Sequence, residues 1–276
     1  MEKITPGLAV TIAPGIVRIT APNPGVMTGP GTNSYIIGER DLVLLDPGPP
    51  IDSHVAALRA AVGDRLKWIV CTHTHNDHSP AAGALKAATG APICGRFAEQ
   101  DGRQDPDFKP DRILEDGERV GVEGVTLRAV HTPGHASNHL CYLFEERKLL
   151  FTGDHVMQGS TVVISPPGGD MDDYLNSLEK VIQLDLAAFA PGHGHVIETP
   201  HDEARRLIAH RLKREAKVFA ALQQRNPATL DELVTLAYDD VSDKLHPVAK
   251  RSLHAHLIKL EKDRKAKLSG EQWWPA

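Results

Sequence analysis

The sequence predicts a layered α/β protein with a small, mostly helical domain at its end. Three observations predict it. Through residue 200, short apolar runs that stop at turn residues alternate with helical faces, the pattern of helices stacked on sheets. From residue 201 only the helical period persists. The charge balance changes sign at the same place: residues 1–200 carry 16 Lys/Arg against 25 Asp/Glu, and residues 201–276 carry 15 against 11. The expected organisation is a domain over 1–200 and a three-helix, winged-helix-like domain over 201–276.

The elements follow in order. Asn33–Ile37 and Leu42–Leu45 read as strand, turn, strand, ending in Gly38 and in Asp46-Pro47-Gly48. Ala56–Val62 continues as a helix. Leu66–Cys71 is a buried strand, and Ser79-Pro80 reads as an N-cap with proline at the first helical position of a helix that Gly90 closes. Further strands are expected at Ile93-Cys94, Val125–Val130, Leu140–Phe144, Leu149–Thr152 and Leu186–Phe189, with a helix at Tyr174–Leu184. In the tail, Leu212, Ala216, Phe219 and Leu222 form one helical face. Thr229-Leu-Asp-Glu232 is a capping box that opens a second helix, and Ala249, Leu253, Leu257 and Leu260 line a third. A small β-wing is expected to turn at Ser269-Gly270.

Composition narrows the function. Hydrophobic residues make up 41% and charged residues 24% of 276, enough apolar matter for a sizeable core. Cys71, Cys94 and Cys141 form no C-x-x-C and read as reduced, buried thiols. Prolines and glycines at 6, 7, 14 and 15 interrupt the N-terminal apolar run, and no later run has spanning length. The expectation is a cytoplasmic protein without a membrane partner. No G-x-S-x-G elbow, G-x-x-x-x-G-K-[ST] loop or G-x-G-x-x-G turn occurs, which argues against serine hydrolase and nucleotide-binding chemistry.

Thr72-His73-Thr74-His75-Asn76-Asp77-His78 places three imidazoles and a carboxylate in six residues just after a strand. Imidazole and carboxylate are the ligands that zinc and its neighbours take. Side chains two apart on extended backbone share a face, so His73 and His75 can bind one ion. Asp77 and His78 point differently and suit a second. His135 in a turn-rich loop, Asp154 at the end of Leu149-Leu-Phe-Thr-Gly, and His193 in Ala190-Pro-Gly-His supply the rest. The ions would then hold His73/His75/His135 and Asp77/His78/His193, with Asp154 bridging and positions left open for catalysis.

Thr72–His78, Thr132-Pro-Gly-His135, Phe151-Thr-Gly-Asp154 and Pro191-Gly-His193 together resemble the metallo-β-lactamase fold superfamily of binuclear metallohydrolases over residues 12–200. The resemblance implies an αββα sandwich carrying the metals at one edge, with Asp46-x-Gly48 supporting the ligands from behind. Asp154-His-Val-Met, Ile164–Met171, Tyr174–Leu178, Leu245-His-Pro247 and Leu257–Leu260 are similar to the β-lactamase-like protein 2 family, whose members append a winged helix. Animal members are single-stranded-RNA endonucleases, and fungal relatives release polyketides as thioesterases. The implied function is a metal-dependent hydrolase that uses a metal-bridging hydroxide, with two Zn2+ per chain, or Mn or Fe in their place. Single-stranded RNA cleavage is one reading. Thioesterase, lactonase or β-lactam hydrolase action on a small molecule is another. An iron oxidoreductase and a nucleic-acid-binding module are the rivals from other classes. A homo-oligomer is compatible with all of them. Ser79-Pro-Ala-Ala82 stands where many superfamily members have a glycine pair, and His155 after the bridging aspartate varies among relatives; both touch the mouth of the site.

Other residues carry two readings. Asp77 is a ligand that could also steer the nucleophile. Asp46 is a turn residue or a support for the ligands, and His139 is expected to pack or bond beneath the His135 loop. His131, His155 and His195 read as rim or supporting residues, while His210, His254 and His256 read as solvent-facing or satisfied in the tail core. The basic run Lys259–Lys267 reads as a solvated helix end or a nucleic-acid contact, and the loop Glu99–Asp111 as surface or a lid.

Overall fold

The computed structural model describes residues 3–98 and 101–276. Two twisted sheets pack face to face with helices on both outer faces. The first sheet takes β1 (Ala9–Ala13), β2 (Ile16–Thr20), β3 (Asn33–Gly38), β4 (Leu42–Leu45), β5 (Leu66–Val70), β6 (Ile93–Gly95) and β7 (Arg112–Ile113) in chain order. It is antiparallel through β4 and parallel from β4 to β7. The second sheet comprises β8 (Arg119–Val122), β9 (Val125–His131), β10 (Leu140–Phe144), β11 (Leu149–Gly153) and β12 (Ala188–Pro191), ordered β12-β11-β10-β9-β8.

Strand alternation builds the layers. On β3 and β4, Tyr35, Ile37, Val43 and Leu45 face the other sheet, while Ile36, Leu42 and Leu44 face α1 (Asp52–Val62) and α2 (Ala81–Thr89). On β10, Leu140, Tyr142 and Phe144 join the inter-sheet core, and Cys141 and Leu143 turn toward α3 (Met171–Ile182). Asp170 caps α3, its Oδ1 accepting from the Asp172 and Asp173 amides. All three cysteines are free and buried, and no helix among the described residues is long and apolar enough to cross a membrane.

The long helix α4 (Pro200–Gln224) serves two cores. Ala204 and Leu207 pack with Tyr174, Leu178 and Val181 over the second sheet. Val218, Ala221 and Leu222 belong to the tail core with α5 (Leu230–Ala237), α6 (His246–Lys262) and the wing β13 (Ala266–Ser269) and β14 (Gln272–Pro275). Trp273 of the wing is 2% exposed and anchors it. Thr229 and Glu232 form the expected capping box.

Several expectations are corrected. Ser79 does not cap α2: its hydroxyl donates to Asp105 Oδ2 at 2.9 Å, and the residue before the helix is Pro80, which has no side chain to cap with. The last strand of the second sheet lies two residues later than expected, because Pro191 ends it rather than Phe189. On α4, Leu212 and Ala216 face solvent, and Arg211, Arg214 and Glu215 lie in the buried stripe with Val218. Hydrophobic periodicity misplaces that face because charged residues occupy it. The loop over 99–111 is not plain surface, since Gln104 and Asp105 are buried against the His73–His78 segment. Glu99 and Gln100 lie outside the described residues. The N-terminal reading likewise includes Met1 and Glu2, which lie outside them.

Candidate metal centre

All seven expected ligand residues converge at one edge of the sandwich, past the carboxyl ends of β5, β9, β11 and β12. The β5 end delivers His73, His75, Asp77 and His78, and the other three strands deliver His135, Asp154 and His193. His73, His75 and His135 form one group, and Asp77, His78 and His193 another. Asp154 lies between them. Its Oδ1 is 3.3 Å from His78 Nε2 and 3.2 Å from His193 Nε2, while Oδ2 is 3.6 Å from His135 Nε2. One carboxylate therefore turns an oxygen to each group.

Donor tautomers are fixed from behind. Thr72 Oγ1 gives its proton to Asp46 Oδ2 at 2.8 Å, so toward His73 Nδ1, 3.0 Å away, it accepts. That leaves a lone pair on His73 Nε2. His135 Nδ1 donates to the Val163 carbonyl, His193 Nδ1 to the Gly31 carbonyl and His78 Nδ1 to Asp46 Oδ2. In the neutral rings each Nε2 then offers a lone pair into the site. His139, fully buried, accepts from the Asp154 amide through Nε2 and meets Thr132 Oγ1 through Nδ1. It positions Asp154 and holds no lone pair toward the cluster. Thr32 Oγ1 donates to Asp77 Oδ2 at 3.1 Å.

Close approach accounts for two glycines. A Cβ on Gly153, whose φ is +47°, would meet Thr72 Oγ1 at 2.6 Å and His139 Nε2 at 2.8 Å. One on Gly192 would meet Asp154 Oδ1 and His78 Cε1, each at 2.8 Å. A side chain at Gly192 would push the carboxylate off the cluster, and one at Gly153 would displace Thr72 and His139, which support it.

Two observations test whether metal fits. His78 Nε2 and Asp154 Oδ1 are buried polar atoms that make no hydrogen bond and face each other at 3.3 Å, so their desolvation calls for a proton or a cation at that place. Tetrahedral donors at a zinc bond length of ~2.0–2.1 Å stand ~3.3 Å apart, and ligands at right angles ~2.9 Å. The second group's separations are 3.2–3.5 Å, and His75 Nδ1 is 2.9 Å from both His73 Nε2 and His135 Nε2. The donor set fits a binuclear divalent metal site.

Electrostatics agree. Burial pulls His73 and His135 down, and it brings His75 to about 3, with the neighbouring His135 adding to the effect. Burial also acts to lower His78 and His193, but there Asp77 and Asp154 outweigh it, and His193 rises to about 10. Burial opposes ionisation of Asp154, yet His193 and His78 hold its carboxyl well below the usual range. Protons on these two rings neutralise the carboxylates where a cation would otherwise do so.

The sequence assigns no supporting role to Thr72 or Thr32, and it reads the loop over 99–111 as surface or a lid where the structure makes it a brace. Thr74 Oγ1 donates to Gln104 Oε1, and the Asp105 amide donates to the Thr74 carbonyl. Of the remaining histidines, His131 is half-buried on the surface, His155 is buried against Tyr174, and His195 is half-buried beside the His193 turn. His256 is fully buried in the tail; its ring makes no hydrogen bond, and Nδ1 faces Glu215 Oε2 at 3.8 Å.

The cluster floors a cavity of about 540 Å3 whose far wall is the tail, through His210, Arg211, Arg214, Tyr238, Val248 and Ser252. Val26, Met27, Met157, Val162 and Val163 make the sides mostly apolar. The basic run does not line it. Lys259 pairs with Glu215, Asp263 and Asp172, and Lys262 pairs with Asp170 and Asp172 at the start of α3. These lysines clasp the tail to the core, in addition to any solvated or nucleic-acid role.

Residues 27–193 match the metallo-beta-lactamase superfamily, and residues 229–273 the beta-lactamase associated winged helix domain. The chain is 33% identical to the beta-lactamase-like protein 2 homolog of Drosophila melanogaster, over 95% of this chain and 93% of the relative. It is 34% identical to an atrochrysone carboxyl ACP thioesterase of Aspergillus fumigatus, over 80% and 70% respectively. The crystal structure of a metallo-beta-lactamase family protein from Thermus thermophilus superposes with a TM-score of 0.81 at 22% identity, covering 96% of this chain and all of that one.

Proposed function

This chain belongs to the metallo-beta-lactamase superfamily, and we propose that it hydrolyses a small-molecule thioester or ester in the cavity between its core and its tail. The observation that carries this reading is the placement of the binuclear cluster on the floor of a cavity of about 540 Å3 with largely apolar sides. That volume suits a small ligand. The thioesterase relative supports the same substrate class. Single-stranded RNA is the weaker reading, because nine of the tail's 15 basic side chains, Lys259 and Lys262 among them, already face carboxylates. Zinc fits the His/Asp donor set, with tetrahedral spacings in the second group and right-angle spacings about His75 in the first.

When bound, two divalent ions supply a hydroxide near neutral pH and neutralise the oxyanion that develops on the substrate. The chain's own residues do the rest. Asp46 and Thr72 hold His73 and His78 in the ligating tautomer, and His139 fixes the Asp154 backbone. Asp77 would hold an ion through Oδ2, the oxygen that faces His78 and His193, and its other oxygen could then accept the nucleophile's hydrogen. Val162 and Val163 keep water from the acyl chain. A leaving thiolate needs no proton donor, which suits a site whose carboxylates are all engaged.

A panel of small thioesters, lactones, a β-lactam and a single-stranded oligoribonucleotide, run at equal enzyme and zinc, tests the proposal. Thioester turnover that vanishes on chelation and returns with zinc is the expected result. Metal-dependent RNA cleavage with inert thioesters would sink it. Metal content and colour of the pure protein separate zinc hydrolase from iron oxidoreductase.

A further inference from the structure

On the tail side of the cavity lies a buried cation without a counter-ion. Arg211 of α4 is 3% exposed and lines the cavity. Its Nη2 donates to the Val162 carbonyl, and its guanidinium lies 5.2 Å over the Tyr174 ring. Its Nε has no partner, and no carboxylate lies within ion-pair distance of it among the described residues. Glu215, one turn further along α4, is engaged by Lys259 at 3.3 Å. Arg214 differs, since it is paired with Asp240 at 2.8 Å.

A guanidinium that has left water without a paired charge stays costly; one carbonyl and the Tyr174 side chain offset only part of that cost. The carboxylates nearest the lobe, Glu215 and Asp240, are already taken by Lys259 and Arg214. The Tyr238 hydroxyl, also at the cavity, is buried and unpartnered, and so offers a second donor. His210 beside them is brought down to about 4 by burial and by Arg211 and Arg214, which marks the lobe as electropositive. Ser252 lines the same wall.

We propose that this lobe binds an anionic group of the substrate, carboxylate or phosphate, through Arg211 and the Tyr238 hydroxyl, while the scissile bond lies at the His/Asp cluster. The substrate then has three parts: a hydrolysable carbonyl, an apolar middle against Val162, Val163 and Val248, and an anionic end. The tail is on this view the specificity wall of the active site. The inference rests on the small-molecule reading above.

Two matched pairs of thioesters test it and separate the two sources of the anion. One pair carries an ω-carboxylate or its methyl ester on the acyl chain, with a neutral thiol. The other carries a phosphate or a hydroxyl on the thiol, with a neutral acyl group. In one of the pairs, Arg211→Gln should raise KM for the charged member about 10- to 100-fold with kcat little changed, and leave the neutral member alone. Arg211→Lys should recover part of the loss. Tyr238→Phe, which removes one atom and keeps the packing, should weaken the charged member by about three- to tenfold. Calorimetric binding of suberate and of phosphopantetheine to wild type and to both variants needs no turnover, so it still decides if the hydrolase reading fails. Equal losses for charged and neutral members would make Arg211 a staple between tail and core. Wild-type protein that binds neither anion would also overturn the proposal. If Arg211→Gln does not fold, the Tyr238→Phe comparison stands alone and decides it.

Discussion

Asp46 stands in a left-handed backbone conformation, φ +48°, at the turn after β4, and its carboxylate is fully buried. It accepts from the Thr72 amide at 2.7 Å, the Thr72 hydroxyl at 2.8 Å and His78 Nδ1 at 3.0 Å. The turn and the carboxylate can be tested separately, because asparagine also tolerates that conformation. Asp46→Asn keeps the turn and one acceptor oxygen for the Thr72 amide. Its new amide nitrogen replaces the oxygen that His78 Nδ1 and Thr72 Oγ1 share. His78 must then accept at Nδ1, which moves its proton to Nε2 and removes the lone pair from the cluster. Loss of a support of this kind costs about 10- to 100-fold in metal affinity, or ~1.4–2.7 kcal/mol. Asp46→Ala should cost more, since the Thr72 amide is orphaned too, at about 1–3 kcal/mol of stability for each buried unpaired donor. Zinc competition with a chromogenic chelator, read beside thermal melting, separates the two effects. Wild-type affinity in a folded Asp46→Asn protein would refute the tautomer reasoning and leave Asp46 a turn residue.

Asp154→Ala should bind one ion fewer and lose hydrolysis, because the two oxygens face different groups; two ions and full turnover would show that it does not bridge. Zinc uptake at neutral pH should release protons: Asp77 and Asp154 raise His78 and His193, so both rings are charged in the free protein and must shed protons to ligate. Affinity should accordingly fall as pH falls, and calorimetry in buffers of different ionisation enthalpy would count the protons, a count of zero excluding the exchange. A chain truncated after residue 200 should lose soluble yield, since Ala204, Leu207 and Ala255 cover the apolar face that α3 shares with the second sheet; a soluble, zinc-loaded 1–200 fragment would show the core to be self-sufficient. Lys262→Glu should lower the melting temperature by a few degrees at low salt and less at high salt, because it meets Asp170 and Asp172; an unchanged melting curve would mean the clasp contributes nothing.

The site is legible in the sequence where ligand chemistry and strand ends coincide. His73, His75, Asp77 and His78 share one segment, and His135, Asp154 and His193 each follow an apolar run that could only be a strand. What supports them is less visible. Thr72 precedes the histidines as an ordinary polar residue just past the strand; only the geometry shows its hydroxyl relaying Asp46 to His73. The loop bearing Gln104 and Asp105 reads as polar surface because its burial comes from contacts with residues some thirty positions earlier. Strands β1 and β2 escape a reading by pattern, since Pro14-Gly15 and the short runs around it look like loop.

The tail shows the limit most clearly. Its three helices and wing follow from capping and turn chemistry, but the face that α4 buries is marked by Arg211, Arg214 and Glu215, not by Leu212. A periodicity rule discards arginines as solvent-facing, because isolated charges seldom leave water. Here they leave it at the junction of two cores, where Arg211 reaches the Val162 carbonyl beside the metal cavity. The departure from the hydrophobic pattern thus falls where the tail meets the candidate substrate. A buried charge at that place restricts what the cavity can accept, and no feature of the isolated helix would have shown which charge that was.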